Sequence, residues 1–213
     1  MKVAIITGAG SAFCAGMDLA EMQASGTGED AQTRLQEDAE TYRDLLEMML
    51  RFPKPLIAAV EGFALGGGFE LALMADLIVL GETARIGLPE TNLGLIPGAG
   101  GAQRLLALAG RARASRLVLT GEIIDAATAF DWGIGSYLAA GPALPEATAL
   151  AAKIALRAPL ALQAAKAALV AGDEGARAFA LERSGFEALL DTADKAEGIR
   201  AFREKRKPDF RGE

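Results

Sequence analysis

An α/β core followed by a helical C-terminal region is the fold class this sequence predicts, on three observations. Apolar runs that read as strands lie in the first half of the chain, at residues 3–7, 56–60 and 77–80. From about Gly100 the apolar residues recur at helical spacing and continue so to the end. Strands mixed with helices, then helices alone, is the order expected of a core with a helical region appended, here divided as 1–142 and 143–213.

The elements follow in order. Residues 3–7 read as a buried strand, and a Gly/Ser/Thr loop at 25–28 precedes a charged helix over 30–51 with Leu35, Ala39, Tyr42, Leu46 and Met49 along one stripe. Pro53 and Pro55 block a helix and introduce the second strand at 56–60. Gly62 to Gly68 then leads into an apolar helix over 69–75. A strand at 77–80, an extended Ala84-Arg85-Ile86 and a loop holding Pro89 and Glu90 complete the first half. In the second half, Pro159 and Gly172 interrupt Ala/Leu-rich helical stretches near 145–157, 160–171 and 174–190.

Composition removes several chemistries. The 213 residues contain no histidine and one cysteine, Cys14. This rules out histidine-based nucleophile systems, histidine metal ligands, intramolecular disulfides and a thiolate metal cluster, so no metal is expected. A net charge of −6 speaks against a nucleic-acid-binding surface. No uncharged run approaches the roughly 18 residues of a membrane span, and no secretory signal opens the chain, so a soluble, cytoplasmic protein is expected. Residues 200–213 carry six Lys/Arg and three Asp/Glu, a basic end read either as a solvated tail or as a site for phosphates.

The opening strand with Gly8 and Gly10 suggests a dinucleotide-binding turn, but the fingerprint is not completed. Phe13 stands at the third glycine position, and Ala12 and Cys14 stand where the short-chain dehydrogenase loop has glycines. Neither Tyr42 nor Tyr137 is followed by lysine four residues on.

Chemistry concentrates further along. Gly66-Gly67-Gly68 at a helix start is either a tight turn or a place where backbone approaches a ligand and offers N–H groups to a phosphate or a developing oxyanion. Glu70 is the sole ionisable residue of 64–75, and Glu90 the sole one of 86–97. A carboxylate isolated among apolar residues either finds a salt bridge, for Glu70 to Arg85 or Arg104, or acquires a raised pKa suited to proton transfer. Two such glutamates beside a glycine-rich helix start suggest a pair that holds a water while N–H groups hold a carbonyl oxygen.

Several ordered motifs then resemble the enoyl-CoA hydratase/isomerase (crotonase) superfamily over essentially the whole chain. They are AFCAGMDL at 12–19, KPLIAAVEG at 54–62 continuing through Gly68, Pro89-Glu90, LGLIPGAGGAQRL at 93–105, LTG at 119–121 and AFREKR at 201–206. The resemblance implies a ClpP/crotonase spiral core of ββα units, with residues 143–213 serving trimerisation and CoA covering. It implies an acyl-CoA hydratase, with isomerisation or another crotonase-type lyase reaction as the alternative. Outside catalysis, the alternatives are a silent assembly subunit or an RNA-binding homologue.

By the same resemblance, the backbone N–H groups of Met17 and Gly67 stabilise a thioester enolate. Glu70 acts as base towards the water, and Glu90 donates a proton to the α-carbon. Ala15, Gly16, Asp18, Leu19, Ala64, Gly66, Pro89 and Leu95 match the thioester and pantetheine path, with Asp18 read equally as a helix cap. Phe202 and Lys205 match residues that approach CoA, often from a neighbouring subunit. No cofactor is implied beyond the CoA of the substrate, and a homotrimer or a dimer of trimers is expected. Members of the family usually carry a further segment before the strand that here begins near Lys2. Its absence would leave a sheet edge exposed unless something else covers it.

Overall fold

The computed structural model describes residues 1–18, 41–42, 44–172, 184, 186–188 and 192–213. Leu19 and most of the helices expected over 30–51 and 174–190 lie outside the described residues, as does the side chain of Phe202. The described chain falls into two units. One comprises Met1–Ile5, Phe52–Leu56 and Thr148–Glu213, and the other the described residues of Ile6–Arg51 together with Ile57–Ala147. The first unit thus takes in two short N-terminal pieces that the linear division at 142/143 assigns to the core.

Strand β2 (Leu56–Val60), in the larger unit from Ile57 on, is a run of five buried apolar residues, the pattern of a strand covered on both faces. It pairs in parallel with β4 (Leu77–Leu80), Ile57 opposite Leu77 and Val60 opposite Leu80. With β1 (Ala4–Thr7) and β7 (Tyr137–Leu138) they form a four-stranded sheet in the order β1-β2-β4-β7. A second sheet, β3-β5-β6, joins Phe63–Leu65 in parallel to Arg85–Gly87, which pairs antiparallel with Ile124–Asp125.

The short helix α1 (Gly67–Leu73) leaves β3 and buries Phe69, Ala72 and Leu73. A 3-10 turn at Pro89–Leu93 follows β5. Helix α2 (Gly101–Thr120) is broken at Gly110, whose φ of 76° is open to glycine and costly for other residues. Phe69, Ile86, Leu88, Leu105, Leu117 and Ile134 are fully buried at the centre of the resulting core. Helix α3 (Ala126–Asp131) is capped by Asp125, whose side chain accepts the Thr128 N–H at 2.8 Å.

Helix α4 (Ala143–Ile154) begins beside β7, and Glu61 accepts its Ala143 N–H at 2.9 Å. In the smaller unit are α5 (Pro159–Ala171) and α6 (Ala193–Arg203). Pro159 opens α5, where its missing N–H would have had no partner; it starts a helix as well as separating two. Among the described residues no single helix is long and apolar enough to cross a membrane.

One expectation needs correction. The chain after Gly100 is not helical throughout, because β6 and β7 intervene; each is only two residues long and carries no alternation that a sequence pattern could reveal. Between Gly62 and the glycine turn, Phe63–Leu65 is a strand whose hydrogen bonds go to residues far along the chain.

The basic C-terminal end is neither free nor simply solvated. Glu197, on α6, accepts from Arg206 Nη1 at 2.6 Å, from the Asp209 N–H at 3.0 Å and from Arg200. Asp194 accepts the Arg211 and Gly212 N–H groups at 2.7 and 2.9 Å. Two carboxylates on one helix therefore hold down the residues that follow it. Arg206 above all, then the Asp209 amide and Arg200, hold the Glu197 carboxyl far below the ordinary carboxylate range.

Candidate active site

Four segments of the larger unit meet around the start of α1. The first is the loop after β1. Cys14 forms a one-residue parallel bridge with Ala64: its N–H donates to Phe63 O and its carbonyl accepts from Leu65 N, both at 3.0 Å. Gly16 then takes φ +92° and runs so close to α1 that a Cβ on it would lie 2.9 Å from Leu65 O and 3.3 Å from Gly67 N. Only a glycine lets the chain pass there in that conformation. The next peptide carries the Met17 N–H, so the Met17 and Gly67 amides are brought together. Among the described residues neither has a backbone acceptor.

The second segment is the glycine turn itself. Gly66 donates to Gly87 O at 3.0 Å, tying the turn to β5, and its carbonyl accepts from Phe69 and Glu70, both at 2.9 Å. At Gly68 a Cβ would fall 2.0 Å from Cys14 O. This glycine is therefore what allows the loop and the helix to touch, and the run is more than a tight turn.

Glu70 is 3% exposed, one turn into α1. The structure replaces the salt-bridge alternative: Arg104 Nη1 donates to Leu73 O and Arg85 Nη1 to Ala84 O, and among the described residues no ion pair reaches Glu70. Backbone amides hold it instead. Glu70 Oε1 accepts from Ala99 N at 2.8 Å and Gly101 N at 2.9 Å. The run 98–101 wraps so tightly that a Cβ on Gly101 would sit 2.7 Å from Glu70 Cγ. With both donations on one oxygen, the carboxylate is oriented.

Glu90 comes from the 3-10 turn, directly after Pro89. Its Oε1 lies 3.4 Å from where a Cβ on Gly66 would be, so the carboxyl sits over the glycine turn. Its Oε2 is buried with no hydrogen-bond partner. A buried, unpaired carboxyl oxygen is expensive to ionise. Burial above all pushes the Glu90 carboxyl above its ordinary range; a hydrogen bond from its own backbone opposes this, and the charge of Glu70 adds a smaller upward push. Two carboxyl groups are thus set differently, one held by two N–H donors and one inclined to keep its proton.

The remaining sequence candidates divide. Gly16, Gly66 and Pro89 lie in this cluster, while Ala15, Asp18 and Leu95 are exposed on the loops that form it. Ala64 is fully buried in the core, so its methyl lines no open path; its backbone instead carries the bridge to Cys14. Lys205 belongs to the smaller unit, exposed just beyond α6 at φ 53°, a conformation uncommon for a non-glycine residue. Sequence reading missed three participants. The amides of Ala99 and Gly101 lie in a run noted only for its resemblance, and Tyr42, assigned to an apolar stripe, donates its hydroxyl hydrogen bond to Gly67 O. One signal was available for Tyr42, since it is one of only two tyrosines in the chain.

Two neighbouring amides without a backbone acceptor among the described residues, with a pair of carboxyl groups beside them, suit a class of protein that binds a carbonyl oxygen, stabilises negative charge developing on it, and moves protons next to it. The family model for enoyl-CoA hydratase/isomerase matches residues 1–213, and the chain belongs to that family. It is 46% identical over 215 residues to the 2,3-dehydroadipyl-CoA hydratase of Escherichia coli (strain K12), covering 100% of this chain and 82% of that protein. It is 41% identical over 215 residues to an enoyl-CoA isomerase/hydratase of Mycosarcoma maydis, covering 99% and 77%. A crystal structure of an enoyl-CoA hydratase from Bacillus anthracis superposes with a TM-score of 0.92 at 39% identity, covering 100% of this chain and 82% of that one. The fold is therefore the crotonase fold.

Proposed function

We propose that this protein is an acyl-CoA hydratase that adds water across the 2,3 double bond of a trans-2-enoyl-CoA thioester, or removes it in reverse. The observation that carries the reading is the pairing of differently set carboxyl groups beside two free amides: Glu70 held by two N–H donors, and Glu90 part-buried with one buried oxygen unpartnered.

The thioester oxygen accepts hydrogen bonds from the Met17 and Gly67 N–H groups. They strengthen as the carbonyl becomes an enolate, and removing one comparable donor costs roughly 10² to 10³ in rate. Glu70 takes a proton from the water as its oxygen bonds to the β-carbon. Glu90, inclined to be protonated, gives its proton to the α-carbon on the same face. The product gains H and OH, and a proton returned from Glu70 to Glu90 through solvent resets the site. No electron changes owner, so the chemistry calls for no group beyond the CoA that the substrate brings.

Phe202 and Lys205 are assigned to the CoA moiety, and assembly as a trimer or a dimer of trimers belongs to the same reading. Exposed Leu93, Leu95, Ile96 and Leu119 supply apolar surface for it, and mass in solution tests it. The activity is tested with crotonyl-CoA, by following loss of the conjugated-thioester absorbance. No turnover across a range of chain lengths, with Glu70→Gln and Glu90→Gln indistinguishable from the unchanged protein, would sink the reading. Isomerisation is the alternative, and the presence of Glu70 beside Glu90 favours hydration over it.

A further inference from the structure

The amide that receives the substrate oxygen in this reading sits in a stretch of backbone with little support of its own. Gly66, Gly67 and Gly68 are consecutive, α1 has no side-chain cap, and each glycine leaves its backbone freer than any other residue would. An oxyanion donor works because it is already in place when charge develops, so something outside the turn must fix it. On one side this is the Gly66 N–H bond to Gly87 O. On the other it is Tyr42.

The half-buried Tyr42 ring lies flat against Gly67. A Cβ there would meet the hydroxyl oxygen at 3.4 Å, Cζ at 3.5 Å and Cε1 at 3.6 Å. Its hydroxyl donates to Gly67 O, on the peptide unit that follows the α-carbon whose own N–H is the catalytic donor. We propose that Tyr42 is a positioning residue for hydration, its hydroxyl and ring fixing the carbonyl and α-carbon of Gly67 so that the adjoining N–H points at the thioester oxygen. The assignment rests on the hydratase reading above.

The electrostatics suit the role. Burial, then the charges of Glu70 and Cys14, push the Tyr42 phenol above the ordinary tyrosine range, the Leu71 backbone amide acting weakly against them. The phenol stays protonated wherever the enzyme works, so the hydrogen bond to Gly67 O persists and Tyr42 takes no part in proton transfer.

The test is Tyr42→Phe, which keeps the ring and removes the hydroxyl, with values referred to the folded fraction measured by thermal unfolding. The expected result is a fall in kcat of about tenfold, less than the roughly 10² to 10³ of losing a whole donor, with KM within about twofold and both limbs of the pH profile unmoved. An independent readout is the absorption of bound dimethylaminocinnamoyl-CoA, whose red shift reports polarisation of its carbonyl and needs no turnover. That shift should shrink in the variant. Unchanged kcat and an unchanged red shift would overturn the proposal, reducing Tyr42 to packing. A pH limb that moves, or a loss of rate with the red shift intact, would overturn it in the other direction by making Tyr42 a proton-transfer group. Failure of the unchanged protein to turn over any enoyl-CoA would remove the hydratase reading, and the red shift would still decide whether Tyr42 sets the carbonyl site.

Discussion

Replacing Gly68 by alanine places a methyl group 2.0 Å from Cys14 O and 2.5 Å from Cys14 C. Ordinary contact for such a pair begins at 3.4 Å, so the Cys14 backbone and α1 must separate by more than about 1 Å. Neither side yields cheaply. Cys14 is fixed by its bonds to Phe63 and Leu65, and α1 is anchored by fully buried Phe69. Overpacking of this kind costs about 1–3 kcal/mol, and loss of the Leu65 N–H bond to Cys14 O adds about 1 kcal/mol. The same movement draws the Met17 amide away from the Gly67 amide, and a misplacement near 1 Å can cost about 10² in rate. Expected, then, are a midpoint of thermal unfolding several degrees lower and kcat on crotonyl-CoA down by about 10² in the protein that remains folded. Gly10→Ala is the control, because a Cβ at Gly10 meets nothing within 4 Å; it should stay within about 0.5 kcal/mol of the unchanged protein. Should Gly68→Ala keep full kcat and its melting temperature, the argument that this contact sets the spacing of the two amides is wrong.

Other expectations follow from the same geometry. Glu90→Gln should lower kcat by about 10² or more and yet stabilise the fold near neutral pH. The folded carboxyl has a raised pKa, so its contribution is fully present below about pH 4.3 and is lost as pH rises through the folded value. Melting curves against pH should converge for variant and unchanged protein on acidification, and equal curves at neutral pH would refute the account. Glu70→Gln keeps an oxygen for the Ala99 and Gly101 amides and should fold while losing turnover, whereas Glu70→Ala orphans both amides and should cost about 1–3 kcal/mol, read by denaturant unfolding. Glu197→Ala should free the chain after α6, seen as faster amide exchange at Arg206 and Asp209. In the unchanged protein Glu197 has a lowered pKa, so its fastening is complete above the ordinary carboxylate range and weakens only as pH falls towards the folded value. Exchange at those amides as slow in Glu197→Ala as in the unchanged protein would show that the carboxylate does not hold the tail.

What could be read from the linear chain was whatever breaks a local rule. Glu70 and Glu90 stood out because an ionisable group in an otherwise apolar stretch needs a reason, and both proved to be buried or part-buried at one place. The strands at 4–7, 56–60 and 77–80 were legible because each is a run of consecutive apolar residues. Phe63–Leu65, Ile124–Asp125 and Tyr137–Leu138 were not, since strands of two or three residues exist through their partners and carry no period of their own.

By itself the sequence determined the α/β order, the exclusion of histidine chemistry and the two carboxyl groups that matter, because composition and local patterning are properties of residue types. Tertiary structure alone decided how those groups are set. Glu70 takes backbone amides in place of a guanidinium because the 98–101 run folds over it, and Tyr42 leaves its apolar stripe to hold Gly67. The basic end of the chain is clasped by Asp194 and Glu197 for a similar reason. Each of these is a contact between a side chain and a distant backbone group, and direction and distance of that kind have no counterpart in residue order.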